Sequence, residues 1–205
     1  MIATEIGSDH HTDGVDTSQV WARRVPGEVG VWVFVLGDMT IFAIFFGTIT
    51  YARARQPGLF EQSRHTLNTS IGLVNTLLLL TSSLLVALAV TALRSGMSRI
   101  RPRCYFLLAI ACGAIFLMNK YFEYSAQLHA GVILTSNDFY LYFFVFTGIH
   151  AVHVLIGMCI LTWLAIASGG DRPRAVMIIR AETGATYWHM VDLLWIVLFP
   201  MFYLL

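Results

Sequence analysis

Charged side chains are scarce in this sequence. Asp, Glu, Lys and Arg together make up 12% of its 205 residues, whereas 57% of the residues are hydrophobic. Soluble domains carry about 25% charged residues, so this composition excludes an ordinary soluble protein. The net charge of +1 gives no support for nucleic-acid binding, which needs a strongly basic surface. The sequence therefore predicts an integral membrane protein.

Cysteine is also rare, and its three copies lack the spacing of metal ligands. Cys104, Cys112 and Cys159 all fall in apolar segments, and no two of them form a C-x-x-C motif. Cysteines in such surroundings usually behave as small buried hydrophobic residues. We therefore expect no cysteine-based metal site.

Long apolar runs separated by short polar connections organise the chain. Five of them cover residues 30–52, 67–93, 104–128, 138–167 and 181–205. At about 1.5 Å per residue each can cross a hydrocarbon core of about 30 Å, and they are too long and too uniformly apolar for barrel strands. The predicted fold is an all-α bundle of five transmembrane helices over residues 29–205. A short polar tail, residues 1–28, precedes it and lacks the apolar core of a signal peptide.

Arginine is distributed unevenly between the two predicted membrane sides. One side carries Arg23, Arg24, Arg94, Arg99, Arg101, Arg103, Arg172, Arg174 and Arg180, whereas the other carries Arg53, Arg55 and Arg64. Because cytoplasmic loops hold the excess of basic residues, we expect a cytoplasmic N-terminus. Five crossings then place the C-terminus in the periplasm of a bacterial inner membrane.

Several charged or imidazole side chains fall inside these apolar segments. They are Asp38, Lys120, Glu123, His150, His153, His189 and Asp192. Each is costly in hydrocarbon, and such residues usually face a bundle interior or a water-filled cavity. Six of them form pairs three residues apart, which share one helix face. We expect Lys120 with Glu123, His150 with His153, and His189 with Asp192 to lock the helices together.

Asp38 differs from these six because its own helix offers no basic partner. It should either be protonated or take a partner from another helix, for which Lys120 is one candidate. Asn75, Ser82 and Ser83 in the second segment are of the types that make interhelical hydrogen bonds in lipid. We predict that these three side chains also point inward.

Five local patterns, in this order along the chain, resemble one known family. They are Gly30–Phe42 with its central Asp38, Asn75–Ser83, Tyr121–Tyr124, Thr147–Val154 and Tyr187–Trp195. Over residues 27–205 the sequence resembles subunit III of the haem-copper oxidases. The resemblance rests on these residues and not on hydropathy.

The resemblance implies a short, five-helix bacterial subunit without a redox centre of its own. Haem, with copper or non-haem iron, would reside in partner subunits, and a catalytic subunit I-like membrane protein would lie alongside. The chain would support assembly and stability during turnover, and it would bind phospholipid. By the same resemblance, Asp38 takes the position of an acidic residue associated with proton uptake, whereas Glu123, His150, His153, His189 and Asp192 match interior polar residues.

Two residues depart from the family pattern. The family more often has Glu at the position of Asp38, so the carboxylate lies closer to the backbone here, and Lys120 is unusual. The opening segment Pro26–Asp38 is most similar to the branch that accompanies nitric oxide reductases in denitrifying bacteria. It favours a nitric oxide reductase as partner, with an oxygen-reducing cytochrome c or quinol oxidase as the alternative.

Two functions of other classes are the rival hypotheses. Buried His and carboxylate residues could hold a metal or haem, which would make the chain a redox enzyme. However, the Glu-x-x-His motif expected of a dinuclear carboxylate bundle occurs nowhere in the sequence. A proton channel or transporter is the second rival, although no internal repeat typical of transporters is evident.

Overall fold

Helices form all the regular structure in the parts of the chain that the computed structural model describes, residues 28–96, 100–170 and 173–205. The helices are α1 Val29–Arg55, α2 Pro57–Arg64, α3 Thr69–Arg94, α4 Ile100–His129, α5 Asp138–Ala167 and α6 Arg174–Phe199, followed by a π-helical turn, Pro200–Leu204. The polar tail predicted for residues 1–28 lies outside the described residues except for Glu28, as do Arg99 and Arg172.

Five of these helices, α1 and α3 to α6, are long and apolar enough to cross a membrane. The predicted all-α fold with five transmembrane helices is therefore confirmed. Some helix ends differ from the predicted ones, because α4 begins at Ile100 instead of 104 and α6 begins at Arg174 instead of 181. Apolar runs mark only the part of a helix that lies in hydrocarbon, and the helical hydrogen bonds continue into the polar interface.

Local sequence accounts for several helix ends. The Asn68 side chain accepts hydrogen bonds from the backbone N–H groups of Ser70 and Ile71 and so caps α3. Asn137 caps α5 in the same way through the N–H of Tyr140. Beyond the end of α3, Gly96 takes a φ of 72°, a left-handed conformation that glycine adopts without steric cost.

Four helices form the body of the molecule. Helix α3 packs against α4 and α6, and α5 packs against the same two helices from the other side. Their core is aromatic, with Phe116, Trp188 and Trp195 fully buried. Helix α1 lies outside this four-helix bundle and contacts mainly α6, although Phe45 also stacks on Phe146 of α5 at 4.9 Å.

The cysteines are less buried than their apolar segments suggested. Cys104 and Cys159 are exposed on the outer surface of the bundle, and Cys112 is partly buried. The expectation of buried cysteines was wrong because an apolar segment of a membrane helix faces lipid on one side and protein on the other. Hydropathy alone does not distinguish these two faces.

Candidate functional site

A buried acid–base pair joins α4 to the C-terminal turn. Lys120 Nζ donates to Glu123 Oε2 at 2.6 Å, and the Tyr203 hydroxyl lies 2.7 and 2.8 Å from the two carboxylate oxygens of Glu123. Lys120 is 3% exposed and Glu123 is 6% exposed. The pair expected from the three-residue spacing is therefore present, and the carboxylate is satisfied by two partners, which offsets the cost of burying it.

Aromatic rings surround the Lys120 ammonium group. The ring centroids of Tyr124, Phe143, Trp195 and Tyr203 lie between 4.7 and 5.8 Å from Nζ, close enough for cation–π attraction. Tyr203 was not among the predicted site residues. The sequence does contain an indication of its role, because Tyr203 lies within an apolar run and a buried tyrosine hydroxyl usually finds a hydrogen-bond partner.

Asp38 contacts His153 across the boundary between α1 and α5. Asp38 Oδ1 lies 3.3 Å from His153 Nε2, and the two side chains are 12% and 14% exposed. Asp38 therefore takes a partner from another helix, as one of the two expectations proposed. That partner is His153 and not Lys120, because Lys120 is already engaged by Glu123.

One hydrogen bond of the His153 ring determines which nitrogen carries a hydrogen. Nδ1 lies 2.9 Å from the Ile149 carbonyl oxygen, and since a carbonyl only accepts, Nδ1 must carry a hydrogen. The other ring nitrogen, Nε2, faces Asp38 Oδ1 at 3.3 Å, and this contact is an ion pair only when the imidazole is protonated. Asp38 Oδ2 is buried and makes no hydrogen bond to any described residue.

His150 does not pair with His153, so this prediction was wrong. Its ring is fully buried, and neither ring nitrogen has a hydrogen-bond partner among the described residues. The ring packs edge-on against Phe116 and lies 5.2 Å from the Trp195 ring. Residues three apart on a helix differ by about 60° in direction, which turns His150 to the bundle centre and His153 to α1.

The predicted pair of His189 and Asp192 was also wrong. His189 Nδ1 is bonded to the Ser83 hydroxyl of α3 at 2.5 Å. Asp192 is 3% exposed, and neither of its carboxylate oxygens makes a hydrogen bond of normal geometry within the described part of the chain, although the Ser83 hydroxyl lies close to it. The same angular offset directs His189 towards α3, where Ser83 offers a nearer partner.

Asn75 and Ser82 point inward, as predicted, and tie α3 to α4. Both are fully buried, and Ser82 donates to the Ala109 carbonyl at 2.9 Å. Asn119, which sequence reasoning missed, donates to Asn75 Oδ1 at 2.8 Å. Its signal was an amide side chain inside an apolar run, a type that bonds across helices in lipid.

These side chains do not converge on a metal centre. Over the described residues, no group of three or more His, Cys, Asp or Glu side chains is close enough to hold one ion. The groups form separate contacts, each between two helices or between a helix and the C-terminal turn. Chemically, the arrangement can hold helices together, and at the boundary of α1 it sets a carboxylate beside an imidazole.

Comparison with known proteins shows to which family this five-span chain belongs. A family model described as "Cytochrome c oxidase subunit III" matches residues 6–205. The chain belongs to the cytochrome c oxidase subunit III family. Relatives named "Cytochrome c oxidase subunit 3" include one from Corynebacterium diphtheriae, 32% identical over 85% of this chain and 86% of the relative. Another, from Thermostichus vulcanus, is 30% identical over 86% of each.

A longer relative of the subunit III family carries two subunits in one chain. "Heme-copper oxidase subunit I+III" from Aeropyrum pernix is 28% identical over 92% of this chain, which spans 25% of that protein. Family membership confirms the resemblance drawn from the five local patterns. It does not favour the two rival hypotheses, an independent metal enzyme or a proton channel.

Proposed function

We propose that this chain is the non-catalytic accessory subunit of a haem-copper oxidase, packed in the membrane beside the catalytic subunit I. The family match over residues 6–205 carries this proposal. The polar interior supports it, because Lys120, Glu123 and His189 are engaged in structural hydrogen bonds. The fused Aeropyrum relative, whose name joins subunits I and III, supports contact with subunit I.

In this proposal the haems and metals belong to partner subunits. The chain is isolated from its native membrane in mild detergent, and the visible spectrum and the subunit masses are measured. We expect haem absorbance to follow a larger, separate subunit. Haem, or stoichiometric iron or copper, on this chain alone would contradict the accessory role.

Oxygen is the proposed acceptor of the partner enzyme, because the relatives are named as cytochrome c oxidase subunits. A nitric oxide reductase is the second candidate, favoured by the opening segment Pro26–Asp38. The same purified complex is assayed with oxygen and with nitric oxide. Turnover with nitric oxide alone would replace the first candidate with the second.

The membrane orientation is proposed from the arginines. The described residues of one predicted side include five arginines, Arg94, Arg101, Arg103, Arg174 and Arg180, whereas those of the other include three, Arg53 and Arg55 at the end of α1 and Arg64 at the end of α2. The basic excess on the first side supports a cytoplasmic N-terminus. Impermeant labelling of single cysteines introduced at Gln62 and at Gly170 in intact cells tests it, since only the cysteine at 62 should react from outside.

Asp38 is proposed to serve proton uptake, or to hold lipid, beside the partner enzyme. The first role is supported by the contact of the Asp38 carboxylate with the His153 imidazole at 3.3 Å, which places two groups able to bind a proton side by side. We expect Asp38→Asn to assemble normally but to shorten the active lifetime of the complex during turnover, because an amide cannot take up a proton. Glu61→Gln, which removes an exposed carboxylate outside the spans, is the matched control.

Activity is followed under continuous turnover together with the amount of this chain retained by the complex. A normal active lifetime in Asp38→Asn would remove the proposed role. Loss of the chain from the complex would instead identify Asp38 as an assembly residue. Neither outcome affects the assignment of the chain as subunit III.

A further inference from the structure

A groove lies between the start of α1, the last turns of α5 and the first turns of α6. It encloses about 500 Å³, and its apolar walls include Val31 of α1, Ile160 and Leu164 of α5, and Tyr187 of α6. A Cβ at Gly184 would lie 2.7 Å from Leu164 and 3.0 Å from Ile160, so α5 and α6 touch here and form the floor. The groove has the size of a ligand pocket and suits a large apolar side chain.

The chain enters α1 at the rim of this groove. Glu28, the residue before α1, lines the groove, and its backbone N–H donates to the Thr183 hydroxyl of α6 at 3.0 Å. Arg180 and Trp163 also line it, and the Arg180 guanidinium carbon lies 5.4 Å from the centre of the Trp163 ring. The segment that precedes Glu28 therefore starts from the groove itself, beside a guanidinium group.

That segment lies outside the described residues, but its sequence suits the groove. Trp21 is the only Phe, Tyr or Trp among residues 1–27, and it precedes Glu28 by seven positions. Seven residues span up to about 23 Å, which is enough for Trp21 to return to the groove. Pro26 and Gly27 form a dipeptide typical of turns, so the sequence favours a reversal of the chain just before Glu28.

Electrostatic charge favours the same contact. Residues 1–22 contain four carboxylates and no Lys or Arg; the carboxylates belong to Glu5, Asp9, Asp13 and Asp16. Among the described residues at the α1-entry end of the bundle, five arginines stand against two carboxylates. The arginines are Arg94, Arg101, Arg103, Arg174 and Arg180, and the carboxylates are those of Glu28 and Glu182. The acidic tail and the basic end therefore attract each other.

We propose that residues 16–24 fold back onto this end of the bundle, with the Trp21 indole in the groove and the Asp16 carboxylate beside Arg180. The docked segment contacts α1, α5 and α6 at once. Because α1 otherwise contacts mainly α6, the segment holds this peripheral helix on the bundle. Groove and segment belong to one chain, so the proposal does not depend on the identity of the partner enzyme.

A lipid acyl chain or a segment of a partner subunit would also suit apolar walls. The tail is favoured over both because it is covalently attached at the rim. Its attachment through Glu28 keeps Trp21 within about 23 Å of the groove, and a short tether of this kind gives an effective concentration in the millimolar range. A separate molecule lacks this advantage.

Trypsin gives the first test, because Arg23 and Arg24 lie between Trp21 and α1. The chain is isolated with its accompanying subunits in mild detergent and digested briefly, and mass spectrometry follows the release of residues 1–23 and 1–24. Trp21→Ser should speed release at least about tenfold, because cleavage follows the undocked fraction and docking then lacks a buried aromatic side chain. Trp21→Phe should keep most of the protection.

Changes in the groove give the second test. Val31→Trp fills the groove from α1 without altering charge and should speed release as much as Trp21→Ser does. Val33→Trp is the matched control and should leave release unchanged, because Val33 is 68% exposed on another face of the same helix. Arg180→Gln should speed release by up to about fivefold, the contribution of one exposed ion pair.

Photocrosslinking gives the third test. The residue p-benzoylphenylalanine replaces Trp21 in the same complex, and the crosslinked peptides are identified by mass spectrometry after irradiation. We expect crosslinks within this chain, to α5 near Ile160 and Leu164 and to α6 near Tyr187.

Four results would overturn the proposal. Unchanged release in Trp21→Ser would show that the indole does not hold the segment. Faster release in Trp21→Ser but not in Val31→Trp would place the tail on another surface. Equal acceleration in Val31→Trp and Val33→Trp would show that release reports only the packing of α1. Crosslinks to a partner subunit alone would make Trp21 part of the interface with that subunit.

Discussion

Helices α1 and α6 both qualify as membrane spans, yet they bury very different shares of their residues. In the most apolar stretch of each, 11% of α1 is buried, against 61% of the last helix with its terminal turn. The more buried helix is the less hydrophobic of the two. Between these two helices, the one that packs against more protein carries more small and polar residues, which allow close helix contact in lipid.

The acid–base pairs follow the same gradient. The side chains of Lys120 and Glu123, inside the bundle, are 3% and 5% exposed; those of Asp38 and His153, on the boundary of α1, are 12% and 14% exposed. Arg64 and Glu61, outside the spans, are 24% and 51% exposed. If burial determines how much each pair contributes to the free energy of unfolding, removing one partner should destabilise the protein most in the first pair, less in the second and least in the third.

The largest loss should come from Glu123→Leu. The substitution leaves the Lys120 ammonium buried without its counter-ion, and breaking such a pair costs about 3–5 kcal/mol. Thermal unfolding in detergent, followed by helical circular dichroism, measures the loss. The double variant Lys120→Met with Glu123→Leu removes both charges and should recover most of the stability. A double variant as unstable as the single one would show that packing, not charge, determines the loss.

The second largest effect should be a difference in stability between a glycine substitution in the four-helix bundle and one in the peripheral helix α1. A Cβ at Gly157 would lie 2.6 Å from the fully buried Trp188 ring, whereas a Cβ at Gly37 of α1 would meet no atom within 4 Å. Gly157→Ala should therefore cost about 1–3 kcal/mol through overpacking. Gly37→Ala should be neutral or gain up to about 1 kcal/mol from helix propensity. The same unfolding assay compares the two, and equal effects would contradict the peripheral position of α1.

Asp38→Asn should change stability much less than Glu123→Leu. Asn can still bond His153 Nε2, so only part of one interhelical contact is lost, and such contacts average about 0.6 kcal/mol in membrane proteins. Unfolding of the isolated chain measures this effect apart from turnover. A loss comparable to that of Glu123→Leu would show that α1 is held to the bundle mainly by this pair.

The smallest effect should be a pH dependence outside the spans. The hydrogen bond from Arg64 lowers the pKa of Glu61 below its ordinary value of 4.5. Because the folded-state pKa is depressed, the stabilisation is complete above pH 4.5 and is lost as the pH falls through the lower, folded value. The stability difference between the wild type and Glu61→Gln should therefore shrink on acidification. A difference that grows towards low pH would contradict the sign of the shift.

Much of the fold could be predicted from the sequence, because lipid imposes simple rules. Long apolar runs must be helical to satisfy their backbone hydrogen bonds, and that rule gave five spans. Spacing also gave the contact of Lys120 with Glu123, whose long side chains can bend towards each other within one turn. The same spacing failed for the shorter side chains of His150 and Asp192, since an offset of about 60° on the helix directs neighbours to different helices.

The sequence by itself determined the fold class, the family and the set of polar side chains that must lie inside. The tertiary structure alone decided how those side chains are paired: Asp38 with His153, Ser83 with His189, and Glu123 with Tyr203 of the terminal turn. Hydrophobicity and helical period are properties of one segment and can be read along the chain. A hydrogen bond between helices depends on their relative rotation and depth, which only the packing of the whole bundle sets.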